Sequence, residues 1–109
     1  MITMITLHIV NAENRKQAMA LLKKNTELAR KARGFISRDI FFAQGDPLKG
    51  YSVTTWKSRQ DMKRFLKNPK RPPLVHEGPD RSVYEITKKG KVLLFTRTYS
   101  DIFEVVPVP

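Results

Sequence analysis

The stretch GYSVTTWKSRQDMKRF, residues 50–65, decides the fold because it joins a strand to a helix with no loop between them. Residues 51–56 are aromatic, β-branched or hydroxylic, which is typical of a pleated strand. Ser58 and Asp61 then stand three residues apart, the spacing of an N-terminal capping box. The helix is expected to end before Pro69. So short a junction fixes the angle between a sheet and a helix layer.

The first strand, predicted over residues 2–10, has two largely apolar faces. One face carries Ile5 and Leu7, and the other carries Thr6 and His8 among apolar neighbours. A strand of this kind has to be covered on both sides. We therefore expect helices on one side of the sheet and a second copy of the chain on the other, in a homodimer.

The remaining segments give the order β-α-β-β-α-β. After the first strand we predict a helix that is capped by Asn14 and runs to about Arg33, followed by a strand over residues 35–44. A turn at Gly45-Asp46-Pro47 leads into the strand and helix quoted above. Residues 74–90 have no clear pattern, and residues 92–106 form a long last strand that bends near Ser100. This order is that of the α+β, ferredoxin-like split βαβ fold with an antiparallel sheet. No linker divides the chain, so a single domain over residues 1–109 is expected.

The composition restricts the classes of function. The chain has 21 Lys and Arg against 10 Asp and Glu, a formal net charge of +11. This charge either indicates an anionic partner or belongs to solvated helix faces. The lack of cysteine excludes thiol nucleophiles and thiolate metal sites and is typical of a cytoplasmic protein. There is no basic leader, and no stretch approaches the roughly 20 apolar residues of a membrane span, so we expect neither a signal peptide nor membrane insertion.

The topology and three local features resemble the antibiotic biosynthesis monooxygenase (ABM) family of dimeric α+β barrels. The features are the run Tyr51–Ser58 through Trp56, the Gly34-Phe35 start of the second strand, and the closing residues 102–106. The resemblance implies a homodimer with a small-molecule pocket between sheet and helices. It also implies one of several functions: cofactor-free oxygenation of polycyclic quinols, haem degradation, small-molecule isomerisation, or no chemistry.

The haem-degrading branch can be compared residue by residue. Its pattern is an Asn on the first strand, a Trp on the second helix and an axial His shortly after that helix. Here Thr6 and Phe65 occupy the first two positions, and His76 lies close to the third. Because one role of three is retained, the resemblance implies a protein without a cofactor, with haem on His76 as the alternative.

His8 and His76 are the side chains whose ordinary pKa lies near neutrality. If the second face of the first strand looks into the pocket, His8 can act as a general base on a phenolic or C–H proton. By the resemblance, the anion so formed reacts directly with O2. The alternative is that His8 is a core or interface histidine and His76 a loop histidine. Thr6, Trp56, Phe65 and His76 are the candidate substrate-binding residues, although Trp56 also suits a structural wedge.

Nucleic-acid binding is the main alternative from another class, because split βαβ sheets serve as RNA platforms. Such platforms need exposed aromatic residues interleaved with basic ones on the sheet. The basic residues here fall mainly on the predicted helices, and aromatic residues such as Phe41 and Tyr99 are expected in the core. The sequence therefore favours a small-molecule protein over an RNA-binding one.

Overall fold

The computed structural model describes residues 1–108, in which six strands and two α-helices form an α+β fold. In chain order the elements are β1 (Ile2–Val10), a 3-10 turn (Ala12–Asn14), α1 (Arg15–Arg30), β2 (Phe35–Ala43), β3 (Asp46–Trp56), α2 (Arg59–Leu66), β4 (Leu74–Glu77), β5 (Ser82–Thr87) and β6 (Gly90–Glu104). All six strands belong to one antiparallel sheet in the order β2-β3-β1-β6-β5-β4. The ferredoxin-like α+β prediction is confirmed, with two strands more than expected. No helix within residues 1–108 is long and apolar enough to cross a membrane.

The two additional strands come from the stretch that had no clear pattern. β4 and β5 form a hairpin at the edge of the sheet, next to β6. The hairpin loop is held on β6 because the Thr98 N–H donates to the Asp80 carbonyl at 3.1 Å. Both strands are short and mix polar with apolar residues, so their pairing depends on tertiary contacts rather than on local periodicity.

The long last strand does not bend where the sequence indicated. Ser100 pairs in regular register with Thr6. The irregularity lies further back, between Ile9 and Val10 on β1, where the partner changes from Arg97 to Phe95. The residue skipped on β6 forms a bulge, which adds local twist to the strand.

Helix α1 begins and ends differently from the prediction. Asn14 does not cap it with its side chain, and its Nδ2 instead donates to the Leu93 carbonyl at 2.9 Å. Asn11 caps the preceding 3-10 turn by accepting from the Glu13 N–H at 3.4 Å. The helix ends at Arg30, three residues before the predicted end. Gly34, expected at the helix end, lies in the following turn with φ +82°, which favours glycine.

The strand-to-helix junction at Trp56 forms as predicted. The Ser58 Oγ accepts from the Asp61 N–H at 3.1 Å and donates to the Asp61 carboxylate at 2.9 Å, so the N-cap is confirmed. Trp56 is 1% exposed. Its ring meets Phe65 of α2 at 5.0 Å and Phe35 of β2 edge-on at 5.9 Å between centroids. This aromatic cluster fixes α2 against the sheet.

Apolar side chains pack in two clusters on the side of the sheet that carries the helices. One cluster includes Leu22 of α1 and Phe95 of β6, and the other is built on Trp56, Met62 and Phe65. A cavity separates them and is lined by members of both. The helices thus leave room for a ligand against the inner face of β1.

The outer face of the sheet, away from the helices, is apolar and open in the single chain. Phe41, Tyr51, Leu7 and Tyr99 form one row across β2, β3, β1 and β6. Phe41 is 56% and Tyr99 59% exposed, so the expectation that both lie in the core is wrong. Alternation along each strand places them opposite the helices, and no element within residues 1–108 covers them.

Candidate functional site

A cavity of about 310 Å³ lies between the inner face of the sheet and the two helices, next to the β4–β5 hairpin. This volume is at the small end of the range of about 300–1,000 Å³ for ligand pockets, which favours a compact molecule. The lining residues are Met4, Thr6 and His8 from β1; Ser52, Thr54 and Trp56 from β3; Leu21, Leu22 and Asn25 from α1; Phe65 and Leu66 from α2; Arg38, Arg71, Leu74, His76, Arg81 and Val83; and Phe95, Thr98 and Ser100 from β6.

His8 lies on the floor of this cavity, on the central strand of the sheet. Its Nε2 is 3.0 Å from the Ser52 Oγ on β3, and its ring packs against Phe95 at 4.8 Å between centroids. Burial, and to a smaller extent the charge of Arg38, lowers the pKa of His8 to about 4. The imidazole is therefore neutral at pH 7, and the Nδ1 has no hydrogen-bond partner within the described chain.

Arg38 enters the cavity from β2 and is held by two hydroxyl groups. Its Nε donates to the Thr26 Oγ1 at 2.9 Å, and its Nη1 donates to the Thr54 Oγ1 at 2.8 Å. Burial, followed by the charge of Arg71, lowers the pKa of Arg38, but a guanidinium remains charged at neutral pH. The neutral imidazole of His8 thus lies in the field of a fixed positive charge.

A second basic group lines the cavity near the β4–β5 hairpin. The Arg71 guanidinium lies 5.2 Å from the Phe65 ring centroid, and its Nη1 donates to the Leu66 carbonyl at 3.1 Å. Arg81 belongs to the hairpin loop and has φ 51°, a backbone conformation uncommon for a non-glycine residue. Burial, then the charges of Arg81 and Arg71, lowers the pKa of His76.

Three polar atoms with no hydrogen-bond partner within residues 1–108 belong to residues of this one cavity. They are the Nδ1 of His8, the Oδ1 of Asn25 and the Nε of Arg71. Buried polar atoms of native proteins are nearly always satisfied, and each of these is a place where a bound molecule or water can complete a hydrogen bond. The group includes donors as well as acceptors, so it suits a ligand that carries both.

The structure brings the five sequence-predicted residues together. Thr6, His8, Trp56, Phe65 and His76 all border the cavity. The Thr6 hydroxyl is bonded to the Ser100 hydroxyl at 2.9 Å, within the sheet. His76 was expected in an irregular connection, but it lies on β4, where it pairs with Val83. Their roles toward a ligand remain predictions.

The sequence did not lead us to place Arg38 or Arg81 in the cavity, nor the hydroxyl residues Ser52, Thr54 and Thr98 around His8. A signal for Arg38 was present, because a hairpin centred on Asp46 pairs Arg38 with Thr54, as observed. Thr54 lies two residues before Trp56 and therefore shares its face of β3. Arg81 had no comparable signal, since its position depends on a hairpin that the sequence did not predict.

The cavity does not fit a haem. His76 is neutral at pH 7, as an iron ligand has to be, but a haem macrocycle with its two propionates exceeds about 310 Å³. The helical position expected to hold Trp in the haem-degrading pattern is Phe65, which packs on Trp56 and fills the space beside it.

An antiparallel sheet with two helices over one face, and a cavity between them, defines the class of ferredoxin-like α+β proteins. Within this class, the sequence model of the antibiotic biosynthesis monooxygenase family matches residues 1–71. The chain belongs to the antibiotic biosynthesis monooxygenase family. No curated protein matches its sequence.

Solved structures of low sequence identity share the fold over nearly the full chain. A putative antibiotic biosynthesis monooxygenase from Nitrosomonas europaea is 13% identical, with a TM-score of 0.67, covering 98% of this chain and 100% of that one. SnoaB, a cofactor-independent oxygenase from Streptomyces nogalater, is 9% identical, with a TM-score of 0.69 and coverage of 98% and 94%. Rv0793 from Mycobacterium tuberculosis is 12% identical, with a TM-score of 0.70 and coverage of 98% and 96%.

Proposed function

We propose that this protein is a cofactor-independent monooxygenase that acts on a small aromatic or quinol-type molecule in the cavity. The observation that carries the proposal is a neutral, buried His8 on the floor of a cavity that also holds aromatic side chains and the Arg38 guanidinium. The family supports this reading, and SnoaB provides an example of such chemistry on the same fold. We include in the proposal a cytoplasmic location, in keeping with the lack of cysteine.

His8 is the proposed base. A histidine with a pKa of about 4 is a weak base in water, but it is present entirely in the form that can accept a proton. The positive charge of Arg38, which contributes to that low pKa, also lowers the pKa of an acidic group bound beside it. Arg38 therefore favours proton transfer by making the substrate more acidic. The negative charge that forms on the substrate then raises the pKa of His8.

The proposed reaction converts a ring methylene that is conjugated through an aromatic ring with a keto group, as in an anthrone, into a carbonyl. His8 takes the proton, and the electron pair is delocalised into the ring system as a phenolate or enolate. This electron-rich anion reduces O2 and forms a carbon–oxygen bond, giving a hydroperoxide once the proton is returned. The hydroperoxide then loses water, so that one oxygen atom ends in the product carbonyl and the other in H2O.

The other cavity residues supply binding. Trp56 and Phe65 offer apolar ring faces to a planar molecule. The Oδ1 of Asn25 has no partner in the described part of the chain and suits a hydroxyl donor, which a phenol or quinol carries. The Thr98 hydroxyl is engaged with the Arg81 carbonyl at 2.9 Å and is less available.

The proposed assembly is a homodimer through the outer face of the sheet. Along this face the basic residues Lys49 and Arg97 flank Ile9, while Asp39 and Asp101 lie in the row of Ile5. This face has an apolar centre with one basic row and one acidic row. Two copies can pack face to face so that the basic row of each chain lies against the acidic row of the other. An RNA platform would need a positive excess on this face.

Oxygen uptake with an anthrone tests the function directly. We expect the wild type to consume one O2 per anthrone and, with ¹⁸O2, to place one labelled atom in the quinone product and one in water. His8→Ala should lower the rate by about 100-fold or more. Lys23→Ala, on the exposed side of α1, is the control and should keep the rate. Wild-type activity no greater than the uncatalysed rate, or full activity in folded His8→Ala, would contradict the proposal.

A further inference from the structure

The cavity lining carries an excess of positive charge, of which the proposed reaction uses only Arg38. Three arginines, Arg38, Arg71 and Arg81, line the cavity, and no Asp or Glu of residues 1–108 lines it. The two ion pairs formed within the described chain, Arg64–Asp61 and Lys91–Glu77, lie elsewhere. Arg38 and Arg71 are half-buried, whereas Arg81 is exposed. Half-buried charges are normally paired, because the loss of hydration has to be offset by an opposite charge.

The Arg71 guanidinium is fixed in position by contacts with its own chain, which leave one N–H available for a ligand. Its guanidinium lies over the Phe65 ring and donates from Nη1 to the Leu66 carbonyl, while its buried Nε has no partner in the part of the chain that the structure describes. A rigid guanidinium with a free N–H loses little conformational entropy when it meets a planar carboxylate. Its charge also acts on Arg38, so an anion placed between them relieves their repulsion.

Arg81 is held in a strained backbone conformation at the same end. Its φ of 51° lies in the left-handed region, where glycine is the usual residue. The loop is fixed to β6 by hydrogen bonds from the Thr98 N–H to the Asp80 carbonyl at 3.1 Å and from the Thr98 hydroxyl to the Arg81 carbonyl at 2.9 Å. An arginine at this position, where a glycine would be less strained, adds a second guanidinium to the cavity lining, and its charge acts on His76 as that of Arg71 does.

We propose that Arg71 and Arg81 form an anion subsite in this cavity that selects aromatic acids, molecules whose ring system carries a carboxylate. The inference rests on the proposed function for the reacting end of the molecule and extends it to the substrate class. Arg38 then acts on the oxyanion that forms near His8. Arg71 and Arg81 bind the carboxylate, which is charged before, during and after the reaction. Neutral quinols would bind by ring packing and the Asn25 contact, without an ion pair to Arg71 or Arg81.

Binding of two unreactive, nearly isosteric probes tests the subsite without any turnover. 2-Naphthoate and 2-naphthamide differ in charge but little in shape, and their affinities can be measured by calorimetry. Trp56 is the single tryptophan and lines the cavity, so its fluorescence gives a second reading. We expect the wild type to bind naphthoate at least about tenfold more tightly than naphthamide, as for a charge-assisted pair that the amide lacks.

Variants of Arg71 and Arg81 test whether these two residues cause the preference for naphthoate over naphthamide. Arg71→Met should remove the preference for naphthoate while leaving naphthamide binding within about twofold, and Arg71→Lys should restore part of it. Arg81→Gly should reduce the preference while relieving the backbone strain, so it serves even where Arg71→Met fails to fold. Arg30→Met, on the exposed end of α1, is the charge-matched control and should change nothing.

The results that overturn the subsite are distinct from those that overturn the oxygenase. Equal affinity of the wild type for both probes, no binding of either probe, or equal loss of both probes in a folded Arg71→Met protein would refute the anion subsite. A neutral anthrone that is still oxidised in those cases would leave the proposed reaction standing. Tight, charge-selective naphthoate binding without any oxygen uptake would support the subsite and refute the reaction.

Discussion

His8 Nε2 lies 3.0 Å from Ser52 Oγ across the central pair of strands, β1 and β3. The contact holds the imidazole in one orientation, with Phe95 packed against the ring at 4.8 Å. A neutral imidazole carries one N–H, so an Nε2–H that donates to Ser52 leaves a lone pair on Nδ1, the nitrogen without a partner in the described chain. The sheet therefore presents a base whose orientation is set before any ligand binds.

The first prediction concerns the pH dependence of oxygenation. Because the pKa of His8 is lowered to about 4, the base stays deprotonated throughout the neutral range. With a neutral anthrone as substrate, kcat/KM should show no protonation of this group between about pH 5.5 and 8, where a solvated histidine would titrate near its ordinary value of about 6.5. Oxygen uptake across this range is the measurement. A tenfold fall per pH unit that begins near pH 6.5 in the wild type, and is absent in His8→Gln, would contradict the burial argument.

The second prediction concerns stability. The unfolded chain binds a proton at His8 below about pH 6.5, while the folded chain resists protonation down to about pH 4. The unfolded state binds more protons in that window, so the free energy of unfolding is at its full value above pH 6.5 and falls as the pH drops toward 4. A pKa shift of this size changes the free energy of unfolding by about 3 kcal/mol. Urea unfolding at about pH 7 and 4.5, at one protein concentration, measures the difference.

His8→Gln isolates this contribution, because glutamine has no proton to gain in that range. The variant should lose most of the difference in unfolding free energy between the two pH values, whatever its absolute stability. His76→Gln should lose less, since the pKa of His76 is lowered in the same direction but His76 is exposed on β4. Asp61, whose pKa is lowered mainly by the Ser58 hydroxyl, acts below this window. A slope that persists unchanged in His8→Gln would show that His8 titrates normally.

The predictable part of the fold came from local chemistry. The Ser58 cap, the buried Trp56 and the first strand all followed from residue types within a few positions of each other, where capping and alternation act. The β4–β5 hairpin did not, because β4 has four residues and the hairpin is held in the sheet by contacts of β5 and of the hairpin loop with β6. Local patterns carry little information about such an edge strand.

The site divides in the same way. Thr6, His8 and Trp56 could be placed on the cavity face because side chains alternate along strands that the sequence predicted. Arg81 could not be placed, since it lies in the missed hairpin, and Arg71, in the irregular connection after α2, could be expected near His76 only together with its basic neighbours Lys67 and Lys70. Charge alone did not single out the two arginines among 21 basic residues, most of which stay outside the cavity.

The third prediction concerns the turn that supports α2. Gly34 has φ +82°, and a Cβ built on it would lie 2.3 Å from the Asp61 Cγ and Oδ2. Asp61 cannot move away freely, because it is bonded to the Ser58 cap and to Arg64 at 2.8 Å. Gly34→Ala should therefore lower the free energy of unfolding by more than about 1 kcal/mol, the cost of the backbone conformation alone.

Gly45 gives a matched control for that substitution. A Cβ there meets no atom within 4 Å, and its φ lies outside the left-handed region. Gly45→Ala should leave the free energy of unfolding unchanged or raise it by up to about 1 kcal/mol, because alanine restricts the unfolded chain. Urea unfolding of both variants at pH 7 decides the matter. Equal effects of the two substitutions would show that the Gly34 turn adapts and that Asp61 is not fixed.

The last prediction concerns the outer face of the sheet. Tyr99 is 59% exposed in the single chain and stands in the row of Phe41, Tyr51 and Leu7, at the centre of the proposed dimer interface. Tyr99→Asp places a charge where apolar surface should be buried, and desolvation of that charge costs several times what a surface substitution does. Light scattering should therefore give twice the chain mass of 12.6 kDa for the wild type and the mass of one chain for Tyr99→Asp. Lys23→Asp introduces the same side chain on the exposed side of α1 and should stay dimeric. A wild-type protein that is monomeric at micromolar concentration, or a folded Tyr99→Asp protein that keeps the double mass, would show that the outer face of the sheet is not a homodimer interface.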